Sequence, residues 1–211
     1  MYLPPLFRED DRTKLLDFMR AHSFATLVTV VDNAPFATHL PLMVEERGEE
    51  LFITGHLAKP NAQWTGFGNG ESLAIFGGPH AYISPSLYEK IESVPTWNYI
   101  AVHAYGTPII YRYADAPARV QAMLEVMMQS FDPTYLAQWE SLSDKFRQGM
   151  MMGIVAFEIA VTRIEGKYKL SQNRSMVDQA TVAAHLQQAS DQAAAAIGMA
   201  MQTKIQEGKA Q

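Results

Sequence analysis

The sequence predicts a mainly β chain with flanking helices (α+β), built on an antiparallel, barrel-like sheet and finished by a C-terminal helix. Three observations predict it. Short β-branched runs recur from Phe24 to Ile164, Gly, Pro, Asn and Asp punctuate them at close intervals, and helical periodicity is confined to the two ends and one internal stretch. A parallel α/β sheet would instead alternate strand and helix throughout.

Asp10 and Asp11 stand where a helix N-cap belongs, and Leu15, Phe18, Met19 and His22 follow at helical spacing. FATLVTVV (24–31) reads as a buried strand, Asp32-Asn33-Ala34-Pro35 as a turn, and 35–44 as the returning arm of a hairpin. Glu45-Glu46-Arg47-Gly48 reads as a further turn before a short strand over 50–54. Gly55 to Gly70 interrupts the strand rhythm, with a short helix expected near 59–64. Strands are expected over 72–76 and 80–84, separated by Gly77-Gly78-Pro79. Residues 97–113 read as two strands broken at Gly106-Thr107-Pro108.

Helices are expected after an Asp115 cap and over 133–148, then a strand over 154–164. Val182, Leu186, Ala189, Ala193, Ile197 and Met201 recur three and four apart, which predicts an amphipathic tail helix. The expected organisation is one domain over 1–175, carrying the helices of about 115–148, and a helical appendage over 176–211 that packs on that domain or on a second subunit.

Composition excludes several classes. The 211 residues are 48% hydrophobic, enough for a full core, and carry no cysteine, so disulfides, thiolate metal sites and Cys nucleophiles are absent. No uncharged apolar run approaches the roughly 18 residues of a membrane span. MYLPPLFREDD places prolines and acids where a secretory leader would carry bases and then apolar residues, so a cytoplasmic location is expected. Lys+Arg 17 against Asp+Glu 22 gives a net charge of −5, and no basic recognition helix is visible, so direct DNA binding is not expected.

Candidate chemistry gathers at strand ends. Thr54 brings a hydroxyl, Gly55 allows close backbone approach and Lys59 brings charge, a combination suited to an anion. The competing reading is a plain strand-ending turn with a solvated lysine. Neither GxGxxG nor GxxxxGK[ST] occurs. His39 stands in a Thr-His-Leu-Pro strand, where a lone histidine is more often a satisfied core or interface residue than a ligand. His56, His80 and His103 are the residues from which a metal or haem site would be drawn, though none lies at paired-ligand spacing. Trp97-Asn98-Tyr99 suits stacking on a planar ligand, a core or a dimer contact. Ser84 and Ser86 lie near His80 without a GxSxG elbow, which argues against esterase chemistry.

MYLPPLFRED (1–10), TGHLAKPNAQW (54–64), FGGPHAYISPSLY (76–88), VPTWNYIAVHAYG (94–106) and KLSQNR (169–174) resemble the FMN-binding negative transcriptional regulators of the PaiB type. The resemblance implies an antiparallel split β-barrel of the pyridoxamine-oxidase-like superfamily, a homodimer and non-covalently bound FMN. By position, Thr38, His39, Leu40 and Pro41 would lie along the isoalloxazine ring. Thr54, Gly55, His56, Lys59 and Asn61 would hold the phosphate. Trp97 and Asn98 would close the site, from the neighbouring subunit, with Lys169 and Ser171 as further candidates. Relatives carry an additional arginine beside the phosphate, where this region offers Lys59. The implied function is a flavin-dependent or flavin-sensing protein tied to negative transcriptional regulation and, if an enzyme, an FMN-dependent oxidoreductase. The alternatives are a cofactor-free repressor or interaction module, or a haem- or metal-binding barrel.

Overall fold

The computed structural model describes residues 1–209. In chain order the elements are β1 (Arg8–Glu9), α1 (Arg12–Ala21), β2 (Phe24–Val31), β3 (Ala34–Pro41), β4 (Met43–Arg47), β5 (Glu50–Ala58), β6 (Ser72–Ile83) and β7 (Thr96–Tyr111). They continue as α2 (Pro117–Phe131), α3 (Tyr135–Ser141), α4 (Asp144–Met152), β8 (Ile154–Lys169), α5 (Met176–Gln187) and α6 (Gln192–Lys209). The sheet order is β3-β2-β6-β7-β8-β5-β4, with β1 paired to β8. Strands β2–β3, β2–β6, β4–β5, β5–β8 and β1–β8 all pair antiparallel, as the strand-and-turn pattern predicts.

The chain divides into two compact units. The first takes residues 1–18, 77–103 and, of the described residues, 165–209; the second takes 19–76 and 104–164. The second unit is built on two hairpins. Asp32 and Asn33, at φ 50 and 62, form the left-handed turn that joins β2 to β3 with the twist a two-residue hairpin needs. Leu27, Leu42, Ile53, Phe76, Phe157 and Ile159 are buried in it, and Phe67 meets Phe157 edge-on at 5.2 Å. A second cluster joins the inserted helices to β8: Val120, Met123, Leu124, Trp139, Met151 and Ala156. In the first unit α5 and α6 are a helical hairpin that buries Val182, Leu186, Ile197 and Met201.

Several boundaries differ from the sequence reading, each for a physical reason. β6 runs through Gly77-Gly78-Pro79 and β7 through Gly106-Thr107-Pro108. Gly106 is there for space: a Cβ would stand 2.3 Å from the Ala160 carbonyl oxygen. The polar Glu45-Glu46-Arg47 segment belongs to β4, where Arg47 finds Glu45 and Glu158 as partners. β5 continues through Gly55 to Ala58, with Gly55 opposite Phe157 and Ala58 opposite Ile154. Asp115 pairs with Arg112 at 2.7 Å and does not cap α2. The helix expected over 133–148 is two, because Ser143 caps α4. The C-terminal helix is also two, because Asp191 accepts from Ala193 N and starts α6 afresh.

Candidate functional site

The strand end after β5 is held by backbone and side-chain bonds that leave one ammonium group uncommitted. Lys59 N donates to the Gly153 carbonyl at 2.8 Å, and the Lys59 carbonyl accepts from Trp64 Nε1 at 2.9 Å. Both ends of that residue are fixed, while its side chain makes no ion pair among the described residues. Two residues on, Asn61 Oδ1 accepts from Gln63 N and so starts a short 3-10 turn over Ala62–Gly66. Asn61 Nδ2 donates to Thr38 Oγ1 at 3.0 Å. Beneath it, the wholly buried Gln63 donates from Nε2 to the carbonyls of Leu27 and Phe36. This stitches the turn to β2 and β3.

Lys59 opens onto a cleft of about 280 Å³ walled by Trp64, Tyr113, Met152, Ile154 and Val155, with Arg112 and Asp115 on its rim. Arg112 lies 53 positions from Lys59 in sequence, so no local motif announces it; the end of β7 brings it there. Its bond to Asp115 is an exposed i,i+3 pair, of the kind that contributes little stability and is readily exchanged. The cleft therefore offers two cations to an anion, against one carboxylate.

The other candidate residues fall into separate groups. His39 is exposed, with Nδ1 2.9 Å from Thr26 Oγ1 on the neighbouring strand; Leu40 is buried and Pro41 pairs opposite Phe24. Thr54 is buried and donates to Glu45 Oε1 at 3.3 Å. It belongs to a charged network in which Glu158 receives both Arg47, at 2.7 Å, and Arg119 of α2. A Cβ on Gly55 would approach Phe157 Cζ to 2.9 Å and Leu42 Cδ2 to 3.0 Å, so the core itself requires glycine there. His56 lines a small void with Met43, Met123 and Met127 under α2, and burial holds its imidazole below the ordinary value of 6.5.

Trp97, Asn98, Lys169 and Ser171 belong to the first unit. Trp97 is half exposed, and Asn98 is fully buried, donating to Ser171 Oγ at 2.9 Å. Lys169 Nζ donates to Thr96 Oγ1 and to the Trp97 carbonyl. Burial, and then the neighbouring Lys167, lower the pKa of Lys169. Sequence reading missed Arg112, the Glu45–Arg47–Glu158–Arg119 network, and the pairing of 96–98 with 169–171. Among the described residues, no group of three or more His, Cys, Asp or Glu is placed to hold a metal ion, and no helix is long and apolar enough to cross a membrane.

This sheet is that of a flavin-type split barrel. It superposes on the flavocytochrome Anf3 of Azotobacter vinelandii with a TM-score of 0.55 at 12% identity, covering 77% of this chain and 69% of that one. On the FAD and heme binding protein of Mycobacterium smegmatis the TM-score is 0.53 at 16% identity, over 77% and 73%. Residues 1–163 match the family described as "Putative FMN-binding domain". The protease synthase and sporulation protein PAI 2 of Bacillus subtilis (strain 168) is 39% identical over 206 residues, 97% of this chain and 98% of that protein. The uncharacterized protein AN0679 of Emericella nidulans is 26% identical over 84% of this chain and 87% of its own. The chain belongs to the FMN-binding, PaiB-type family, and FMN is its cofactor.

The residues present fit that group. FMN requires a local positive field on an acidic chain, and Lys59 and Arg112, which line one cleft, carry the charge such a site calls for.

Proposed function

We propose that this chain is a homodimeric FMN-binding protein whose flavin phosphate is held at the end of β5, and whose flavin state is read in negative transcriptional regulation. The observation that carries the reading is Lys59: a cation without an ion pair among the described residues, its backbone fixed by Gly153 and Trp64, facing a cleft that also holds Arg112. Lys59 and Arg112 take the phosphate, with Asn61 and Thr38 donating beside them. The edge of β3 from Thr38 to Pro41 runs along the ring, and Trp97 closes the site from the second subunit. The backbone of Thr54, Gly55 and His56 supports this grip from within the sheet, while the Thr54 hydroxyl bonds Glu45 and the His56 ring lines the void under α2. Bound FMN supplies redox chemistry, and the protein's part is to bind, orient and shield it.

The family resemblance supports the regulatory link, and the 39% identical relative is named for protease synthase and sporulation. A net charge of −5 argues that any effect on transcription passes through a partner protein and not through direct base contacts. Isothermal titration with FMN and light scattering test the two halves of the reading. Saturable uptake by a dimer is expected; a monomer that takes up no FMN contradicts it. Gel shifts with a promoter fragment should stay flat at low salt.

A further inference from the structure

Under α2 the second unit encloses a void of about 10 Å³, room for one atom-sized guest. Three of the side chains around it are methionines, Met43, Met123 and Met127, and a fourth is the imidazole of His56; no carboxylate lines it. Three elements bring these four together. Met43 on β4 pairs opposite Thr54 on β5, and His56, two residues on, shares the face of Thr54. Met123 and Met127 stand one turn apart on α2 and so face the same way.

Packing alone accounts for the methionines but not for the histidine. The His56 ring makes no hydrogen bond among the described residues, and a polar group drawn from water without a partner is costly. A leucine would fill the same wall without that cost. Burial lowers the imidazole pKa with no charged neighbour contributing, so the ring is neutral at pH 7 and has a nitrogen lone pair to offer.

The donor set selects the guest. Thioether sulfur and imidazole nitrogen suit Cu(I), whereas calcium and magnesium ions require oxygen ligands and zinc takes His, Cys and carboxylate. Water would find few polar partners, since the Thr54 hydroxyl already donates to Glu45. Among neutral donors a single positive charge is also less costly to bury than a double one. Methionine has three rotatable side-chain bonds, so the sulfurs can turn onto one ion.

We propose that His56, Met43, Met123 and Met127 form a Cu(I) site that ties α2 to β4 and β5. The site shares no lining residue with the Lys59–Arg112 cleft and stands whether or not the chain binds FMN.

Two measurements on the full chain test this. In the first, Cu(I) is titrated anaerobically in competition with a chromogenic Cu(I) chelator; one ion per chain is expected. Met123→Leu and Met127→Leu nearly conserve side-chain volume. Loss of a group that merely supports a metal ligand weakens affinity about 10–100-fold, so loss of a thioether ligand should weaken Cu(I) by at least about tenfold. His56→Leu should do the same, and the double Met→Leu variant should bind more weakly than either single one. In the second, protein carrying 13C-methyl methionine is titrated with Ag(I), which is soft and closed-shell like Cu(I) and needs no reductant. Three of the twelve methyl resonances should shift, those of Met43, Met123 and Met127, assigned by single Met→Leu variants. Zn(II) should leave all of them in place.

Shifts confined to the exposed Met150 and Met152, or Met43, Met123 and Met127 resonances that stay fixed at saturating Ag(I), overturn the site. Cu(I) affinity equal to wild type in either the double variant or His56→Leu overturns it as well. If a variant does not fold, the wild-type resonances decide alone.

Discussion

Asn61 donates through Nδ2 to Thr38 Oγ1 at 3.0 Å, so the turn after β5 is tied to the third strand by side chains 23 residues apart. That bond sets the spacing between the two segments proposed to face the cofactor. Asn61→Ala removes it together with the cap that Asn61 gives Gln63 N. Loss of such a cap costs about 1 kcal/mol. Urea denaturation should show that loss, and FMN affinity should fall further than stability alone explains; unchanged affinity counts against the placement of the phosphate.

Gly55 illustrates a residue whose sequence signal was real and whose cause lay elsewhere. A Thr-Gly pair at a strand end suggests backbone approach to an anion. In the fold, glycine is required because Phe157 and Leu42 occupy the space a Cβ would fill. Gly55→Ala should destabilise by roughly 1–3 kcal/mol through overpacking. A denaturation midpoint equal to wild type would contradict this.

Glu158 is one carboxylate serving two arginines, Arg47 on β4 and Arg119 on α2. Both guanidinium groups are about a third exposed (36% and 37%), so solvent screens part of what they lose when Glu158 is neutralised. Glu158→Gln should cost roughly 1–3 kcal/mol, below the full penalty of breaking a buried pair. Arg119→Met in that background should then add little, since its partner charge is already gone. Fully additive effects would show that α2 is not anchored through this carboxylate.

Acid should weaken the fold through two partly buried histidines, His56 and His103. Burial holds His56 below 6.5; His103 is lowered first by burial and then by the N-terminal ammonium, with Glu165 opposing. Below pH 6.5 the unfolded chain therefore binds more protons than the folded one, so stability drops as pH falls through that window and levels once the folded imidazoles protonate. Unfolding free energies between about pH 7.5 and 5.5 should decline, and His56→Gln should flatten the decline. Identical slopes in the two proteins would remove His56 as a contributor.

The antiparallel class, the β2–β3 hairpin, α1, and the strand that becomes β8 were legible because period-2 and period-3.6 patterns are local. The long strands were not. Gly77-Gly78-Pro79 and Gly106-Thr107-Pro108 look like stops, and whether such residues end a strand or admit a neighbour depends on what packs against them. The split tail helix was hidden for the converse reason: Ala189 and Ala193 keep the apolar spacing going across a break that Asp191 imposes. Lys59 was legible as a lone strand-end cation. Arg112 was not, because only the fold brings the end of β7 to the same cleft.

The most direct measurement is FMN affinity against riboflavin affinity in Lys59→Ala and Arg112→Ala. If the two cations hold the phosphate, each substitution removes a charge-assisted bond of about 1.5–3 kcal/mol, so FMN binding should weaken by at least tenfold while riboflavin binding stays unchanged. FMN affinity equal to wild type in both variants would place the phosphate elsewhere and contradict the account.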